Sequence, residues 1–137
     1  MGNFSIPLAK HVKKVLGYEF DSEMIKLANQ NAKNNKCKNA SFVKTDLYKL
    51  DLNLDSICLS DYNKVVLDPP RSGAALLISQ LNLKTISSLI YVSCNASTLM
   101  KDAEILINKH SFKISNVILL DMFPQTIHFE TVMVFKK

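Results

Sequence analysis

Two titratable side chains with complementary chemistry stand at the ends of apolar runs. Cys94 closes Tyr91-Val92-Ser93-Cys94-Asn95, and Glu130 opens the run that ends the chain. A thiol between a buried strand and a helix start meets backbone N–H groups and the positive end of the helix dipole, which favour the nucleophilic thiolate. A lone cysteine is more often a small buried hydrophobe, but this position, just past a strand, favours a functional role. A glutamate beside an apolar run is expected to be partly desolvated, and so a better proton acceptor than a solvated carboxylate. Read alone, Glu130 also fits an edge-strand residue.

Three further acidic residues close apolar strands: Glu19, Asp46 and Asp68. In open α/β sheets, ligands sit beyond the carboxyl ends of the strands, and an acidic residue there accepts hydrogen bonds from ribose hydroxyls. Glu19 fits that position, as it also fits a solvated strand end. Asp46 is placed to meet an adenine amino group or to cap a turn. Asp68 begins Asp68-Pro69-Pro70-Arg71-Ser72-Gly73, where two prolines fix φ and remove two backbone donors, giving a stiff arm. The chain's only arginine, Arg71, lies on that arm, and its guanidinium fork suits a phosphate or carboxylate. The segment Asp121 to Glu130 carries Phe123, Pro124 and Phe129, a composition suited to a loop around a flat ligand. His128 in that loop is read as packing or surface.

The elements that must position these residues alternate. Strands are expected at 15–20, 40–45, 64–67, 89–93, 113–120 and 131–135. Helices are expected from Ile6 to Lys14, after Asp21 as N-cap to about Asn35, from Gly73 to Leu81, and from Ser97 to His110. The last of these shows Leu99, Ala103, Leu106 and Ile107 on one face. Alternation predicts the α/β class, a mostly parallel sheet covered on both sides. The final two strands are joined too tightly for a crossover helix and should be antiparallel. The stretch 46–63 is the least regular. No strand precedes the first helix, so the first strand of a parallel sheet is expected to be missing, leaving strand edges open to self-association.

The 137 residues, 47% hydrophobic and 21% charged, fit one domain over residues 1–137. Apolar runs too short for a membrane span and the absence of a secretory leader predict a cytoplasmic protein. The net charge of +5 assists a polyanion's approach without requiring one. Three cysteines without C-x-x-C spacing predict neither disulfides, metal nor an iron–sulfur cluster, with Cys37 and Cys58 as bystanders. No full G-x-G-x-x-G occurs, which argues against a nicotinamide dehydrogenase.

With Asp68-Pro-Pro-Arg-Ser-Gly, Tyr91-Val-Ser-Cys94-Asn and Asp121-Met-Phe-Pro…Glu130 in this order, the chain resembles the bacterial uracil-5 methyltransferases of 23S rRNA and tRNA, the ribosomal branch more closely. Gly2 to Ala9 also resembles the back half of that family's first cofactor motif, and Asn31 to Asn35 its helix after Glu19. The resemblance implies a Rossmann-like class I methyltransferase fold. It implies S-adenosylmethionine as cofactor, bound by Asn3, Glu19, Asp46 and Asp68. Cys94 would be the covalent nucleophile and Glu130 the base, acting on a uridine flipped out of RNA, rRNA before tRNA, with Phe123 or Phe129 as its stacking face; Arg71, from its own chemistry, is expected to bind the same substrate. Ala96 stands where the family usually has proline, and Gln125 where it often has histidine. The family's N-terminal RNA-binding domain, its cysteine-ligated cluster and its glutamine-bearing motif have no counterpart, so the chain is expected to be an N-terminally truncated catalytic part. An Asp-Pro-Pro amino-group methyltransferase is disfavoured by Arg71 and Cys94.

Overall fold

A computed structural model describes residues 1–49, 57, 59–122, 125–126 and 129–137. The chain divides into two compact units, 1–52 and 53–137.

The first unit contains α1 (Ser5–Ala9), β1 (Val15–Glu19), α2 (Ser22–Asn34) and β2 (Ala40–Lys44), with β1 and β2 paired in parallel. Parallel neighbours require a crossover, and α2 supplies it. As expected, Asp21 caps α2: its carboxylate accepts from the N–H groups of Glu23 at 2.7 Å and Met24 at 3.1 Å. Such a cap is worth about 1 kcal/mol. Ile6, Ala9, Ala32 and Cys37 form a small core, with Val15, Ala40 and Phe42 against it. Gly17 of β1 faces Phe42, and a Cβ there would lie 2.9 Å from the ring and 3.1 Å from Ser5 Oγ, so close approach of α1 requires glycine.

The first helix is shorter than the Ile6–Lys14 span expected. It stops at Ala9 because the Asn39 side chain donates to the carbonyl oxygens of Ala9 and Val12, both at 2.8 Å. Carbonyls captured from 30 and 27 residues away turn the chain toward β1.

The second unit contains β3 (Lys64–Leu67), α3 (Ala75–Gln80), β4 (Ser88–Ser93), α4 (Ala96–His110), β5 (Lys113–Leu120) and β6 (Glu130–Lys136). Its sheet has the order β3-β4-β6-β5. β3 and β4 are parallel, while β6 runs antiparallel to both β4 and β5. Three strands therefore point one way and the last strand points back, as its short connection demanded.

Residues of β4 and β6 alternate between buried and half-buried. Leu89, Tyr91, Met133 and Phe135 are buried, with Leu99 and Leu106 of α4. Both crossovers proceed in the same direction across the sheet, so right-handed connections put α3 and α4 on one face. Among the described residues of this unit the other face is only partly covered: Ile90, Val92, Val132 and Val134 are half-buried, and all eight residues of the edge strand β5 are exposed.

On α4, Leu99, Ala103 and Leu106 are buried as expected, but Ile107 is 39% exposed and Asp102 takes the remaining inward position. Spacing explains this: 99, 102, 103 and 106 share one stripe, and 107 lies at its margin. No helix among the described residues is long and apolar enough to cross a membrane.

Candidate active site

Cys94 is exposed, one residue beyond β4. Ser93 before it is buried, and its hydroxyl receives the Asn95 N–H at 3.0 Å and lies 3.0 Å from the Asn95 carbonyl oxygen. That local turn ends the strand and swings the thiol into solvent. Asn95 then caps α4, its side-chain oxygen accepting from Ser97 N–H at 3.1 Å. The thiol therefore sits at the start of a 15-residue helix, as the sequence predicts.

Glu130 is half-buried and opens β6. The β4–β6 ladder ends at the pair Ser93 and Thr131. Its antiparallel register makes Cys94 and Glu130 the next two residues beyond that pair, one from each strand. Adjacent antiparallel positions have Cα atoms on the order of 5 Å apart. Cys94 and Glu130, 36 positions apart in sequence, thus leave the same end of the sheet.

The arm after β3 is fastened to the same helix. The side-chain amide of Asn95 donates to the Arg71 carbonyl oxygen at 3.0 Å, and the Thr98 hydroxyl lies 3.1 Å from that oxygen. Arg71 is exposed. Asp68, at the base of the arm, is largely open to water, yet the part of its carboxyl that the fold covers loses hydration, and this raises its pKa above the ordinary value.

In the first unit, Glu19 ends β1 half-buried, with one carboxylate oxygen accepting from Phe20 N–H at 2.9 Å and Asp21 N–H at 3.2 Å. Asp46 accepts from Tyr48 N–H at 3.1 Å, the turn role open to it from sequence. Asn3 is exposed before α1. The structure thus gathers Asp68, Arg71, Cys94 and Glu130 in one unit and Asn3, Glu19 and Asp46 in the other. Phe123, Pro124, His128 and Cys58 lie outside the described residues. No group of three or more His, Cys, Asp or Glu able to hold a metal ion occurs among the described residues.

The family model for tRNA (uracil-5-)-methyltransferase matches residues 1–137. The chain belongs to this family. Among its relatives, the 23S rRNA (uracil(1939)-C(5))-methyltransferase of Mannheimia succiniciproducens is 42% identical over 139 residues, covering 100% of this chain and 31% of the relative. The enzyme of the same description from Haemophilus influenzae is 44% identical, covering 98% and 30%. The chain therefore spans about a third of the length of these relatives. In structure, it is similar to the tRNA (uracil-54, C5)-methyltransferase of Pyrococcus abyssi, solved in complex with S-adenosyl-L-homocysteine: TM-score 0.80, 30% identity, 98% of this chain and 31% of that one. An rRNA methylase from Streptococcus thermophilus, at TM-score 0.69 and 15% identity over 99% of this chain and 80% of its own, shares the fold.

Two residues that fasten the arm, Thr98 and Asp102, stand in none of the motifs. Asp102 carried a signal: a carboxylate on the apolar stripe of a helix must find buried donors. Thr98 carried none, because its partner is a backbone carbonyl 27 residues away.

Proposed function

We propose that this chain is a catalytic part of a methyltransferase that moves the methyl group of S-adenosylmethionine to C5 of a uridine in RNA. The observation that carries the reading is the register that puts the exposed Cys94 and the half-buried Glu130 one step beyond the Ser93–Thr131 pair. C5 of uracil is a weak nucleophile until the Cys94 thiolate adds at C6, which pushes electron density to C5. When bound, the cofactor supplies an electrophilic methyl group. After transfer, Glu130 takes the C5 proton, the C5–C6 double bond reforms, and the Cys94 sulfur leaves.

The donor set suits this cofactor. Glu19, Asp46 and Asp68 offer carboxylate acceptors to the hydroxyl and amino donors of a nucleoside, and a sulfonium cation favours an acidic surround. Glu19 is held in place by two backbone N–H groups. We assign Asn3, Glu19, Asp46 and Asp68 to the cofactor, and Arg71 and Phe123 to the RNA, whose target base must leave its stack to be reached. The bacterial relatives named for 23S rRNA favour rRNA over tRNA as substrate, and an rRNA substrate supports a cytoplasmic location.

A second reading is a fragment that binds without turnover. It is favoured by the division into two units with separate sheets, in which β1 and β3 each have one strand neighbour among the described residues. Such open edges also favour self-association. The test is methyl transfer from labelled S-adenosylmethionine to a 23S rRNA transcript. The first reading expects slow labelling at uridine C5 that Cys94→Ala abolishes. Calorimetric cofactor binding with no label in the RNA would support the second reading and overturn the first.

A further inference from the structure

Asp102 is 1% exposed, and the reaction described above leaves it without a task. Its carboxylate oxygen Oδ2 accepts two hydrogen bonds from different parts of the second unit. One comes from the Ala74 N–H, at 2.6 Å, at the end of the arm that begins with Asp68. The other comes from the hydroxyl of Tyr91, fully buried on β4 and three residues before Cys94. A carboxylate is costly to bury, and an apolar side chain would serve helix packing better at this position. What the carboxylate adds is a connection that packing does not make.

We infer that Asp102 is a positioning residue which, through Tyr91, locks the Asp68–Arg71 arm to the strand that carries Cys94. The inference rests on the reading of Cys94 as nucleophile. Three side chains of the Asn95–α4 segment grip the arm: Asn95 and Thr98 at the Arg71 carbonyl, and Asp102 at Ala74. Of these, Asp102 also reaches into β4. Gly73 belongs to the same device. It holds φ at +79°, and a Cβ there would stand 2.9 Å from Asp102 Oδ2, so the arm approaches the carboxylate more closely than any side chain permits. The separation between Arg71 and Cys94 is then set by a short rigid relay, from Ala74 N–H to Asp102 to the Tyr91 hydroxyl and along three residues of β4.

The first test is amide hydrogen exchange of the Tyr91→Phe chain, which keeps the buried ring and removes the hydroxyl. A relay predicts exchange about five- to tenfold faster at Gly73 and Ala74, the effect of losing one buried hydrogen bond, with the β4–β6 ladder unchanged. Unchanged exchange at the arm, or acceleration spread evenly over the unit, would overturn it. Asp102→Asn retains an acceptor for Ala74 and should restore slow exchange that Asp102→Ala loses. The second test mixes the chain with S-adenosylmethionine and RNA containing 5-fluorouridine, whose C5 fluorine cannot leave as a proton, so the cysteine adduct persists. Tyr91→Phe should form adduct at least tenfold more slowly at saturating RNA and cofactor. Adduct formation at the native rate despite a loosened arm would also overturn the positioning role. No adduct with the native chain would count against Cys94 as nucleophile, and the exchange pattern, which needs neither RNA nor cofactor, still decides the relay.

Discussion

Ser93 of β4 lies opposite Thr131 of β6 at the last rung of their ladder, and both are buried. The rung fixes the direction in which the two strands run out, and with it the end of the sheet from which both Cys94 and Glu130 leave. In the proposed reaction the thiol acts before methyl transfer and the carboxylate after it. Glu130→Gln should therefore slow turnover by about a hundredfold or more, the usual scale of a lost general base, while leaving the earlier covalent step intact. Gel electrophoresis of the variant with RNA and cofactor should show a protein–RNA adduct that Cys94→Ala removes. Equal loss of adduct in both variants would place Glu130 before the covalent step.

Asn95 performs two tasks with the two ends of one amide, accepting from Ser97 N–H and donating to the Arg71 carbonyl. Asn95→Ala should cost about 1 kcal/mol for the cap and about 1 kcal/mol for the bond to Arg71. Asn95→Asp separates the tasks, since aspartate caps a helix as well as asparagine but has no proton to give the carbonyl. Denaturant midpoints should rank native above Asn95→Asp above Asn95→Ala. An aspartate variant as stable as the native chain would show that the bond to Arg71 contributes nothing.

Local signals account for what the sequence made legible. β3 and β5 have the bounds expected from their apolar runs, and Asp21 caps α2 as its side chain and position dictate. Glu19, Asp68, Cys94 and Glu130 were visible because each stands at or next to a strand end. Relations formed across distance were hidden. Asn39 cuts α1 short from 30 residues away, and nothing in residues 10–14 announces it. The run Lys113 to Leu120 reads as a strand, but its place at the sheet edge, exposed along its length, depends on which strand pairs with it. The rung joining Ser93 to Thr131 is a matter of register, which no single strand encodes.

Gly73 is the position where a single methyl group should do most harm. Alanine there must hold φ near +79° and place its Cβ 2.9 Å from a buried carboxylate oxygen, against Thr98 Cβ at 3.0 Å. Left-handed backbone costs a non-glycine residue about 1–2 kcal/mol before any clash, and the crowding adds to it. Gly73→Ala should therefore destabilise the chain by more than about 2 kcal/mol in equilibrium urea unfolding. A cost under about 1 kcal/mol would mean that the arm can shift away from Asp102 without loss.

Asp68 links stability to pH in a direction opposite to a salt-bridged carboxylate. Partial burial raises its pKa above 3.8, so the folded chain holds the proton more tightly than the unfolded chain does. The stabilising contribution of this group is present in full below 3.8 and is lost as pH rises through the higher folded value. Asp68→Asn carries no such charge, so its stability relative to the native chain should increase as pH climbs through the carboxylate range and then level off. The change should be small, because the side chain remains largely in water. Urea midpoints of both proteins across that range measure it, and a native chain that gains on the variant with rising pH would point to a partner stabilising the carboxylate. If Asp68 also receives the cofactor, the same variant should bind S-adenosylmethionine more weakly in calorimetry at neutral pH, so that the group which costs stability is the one that binding requires.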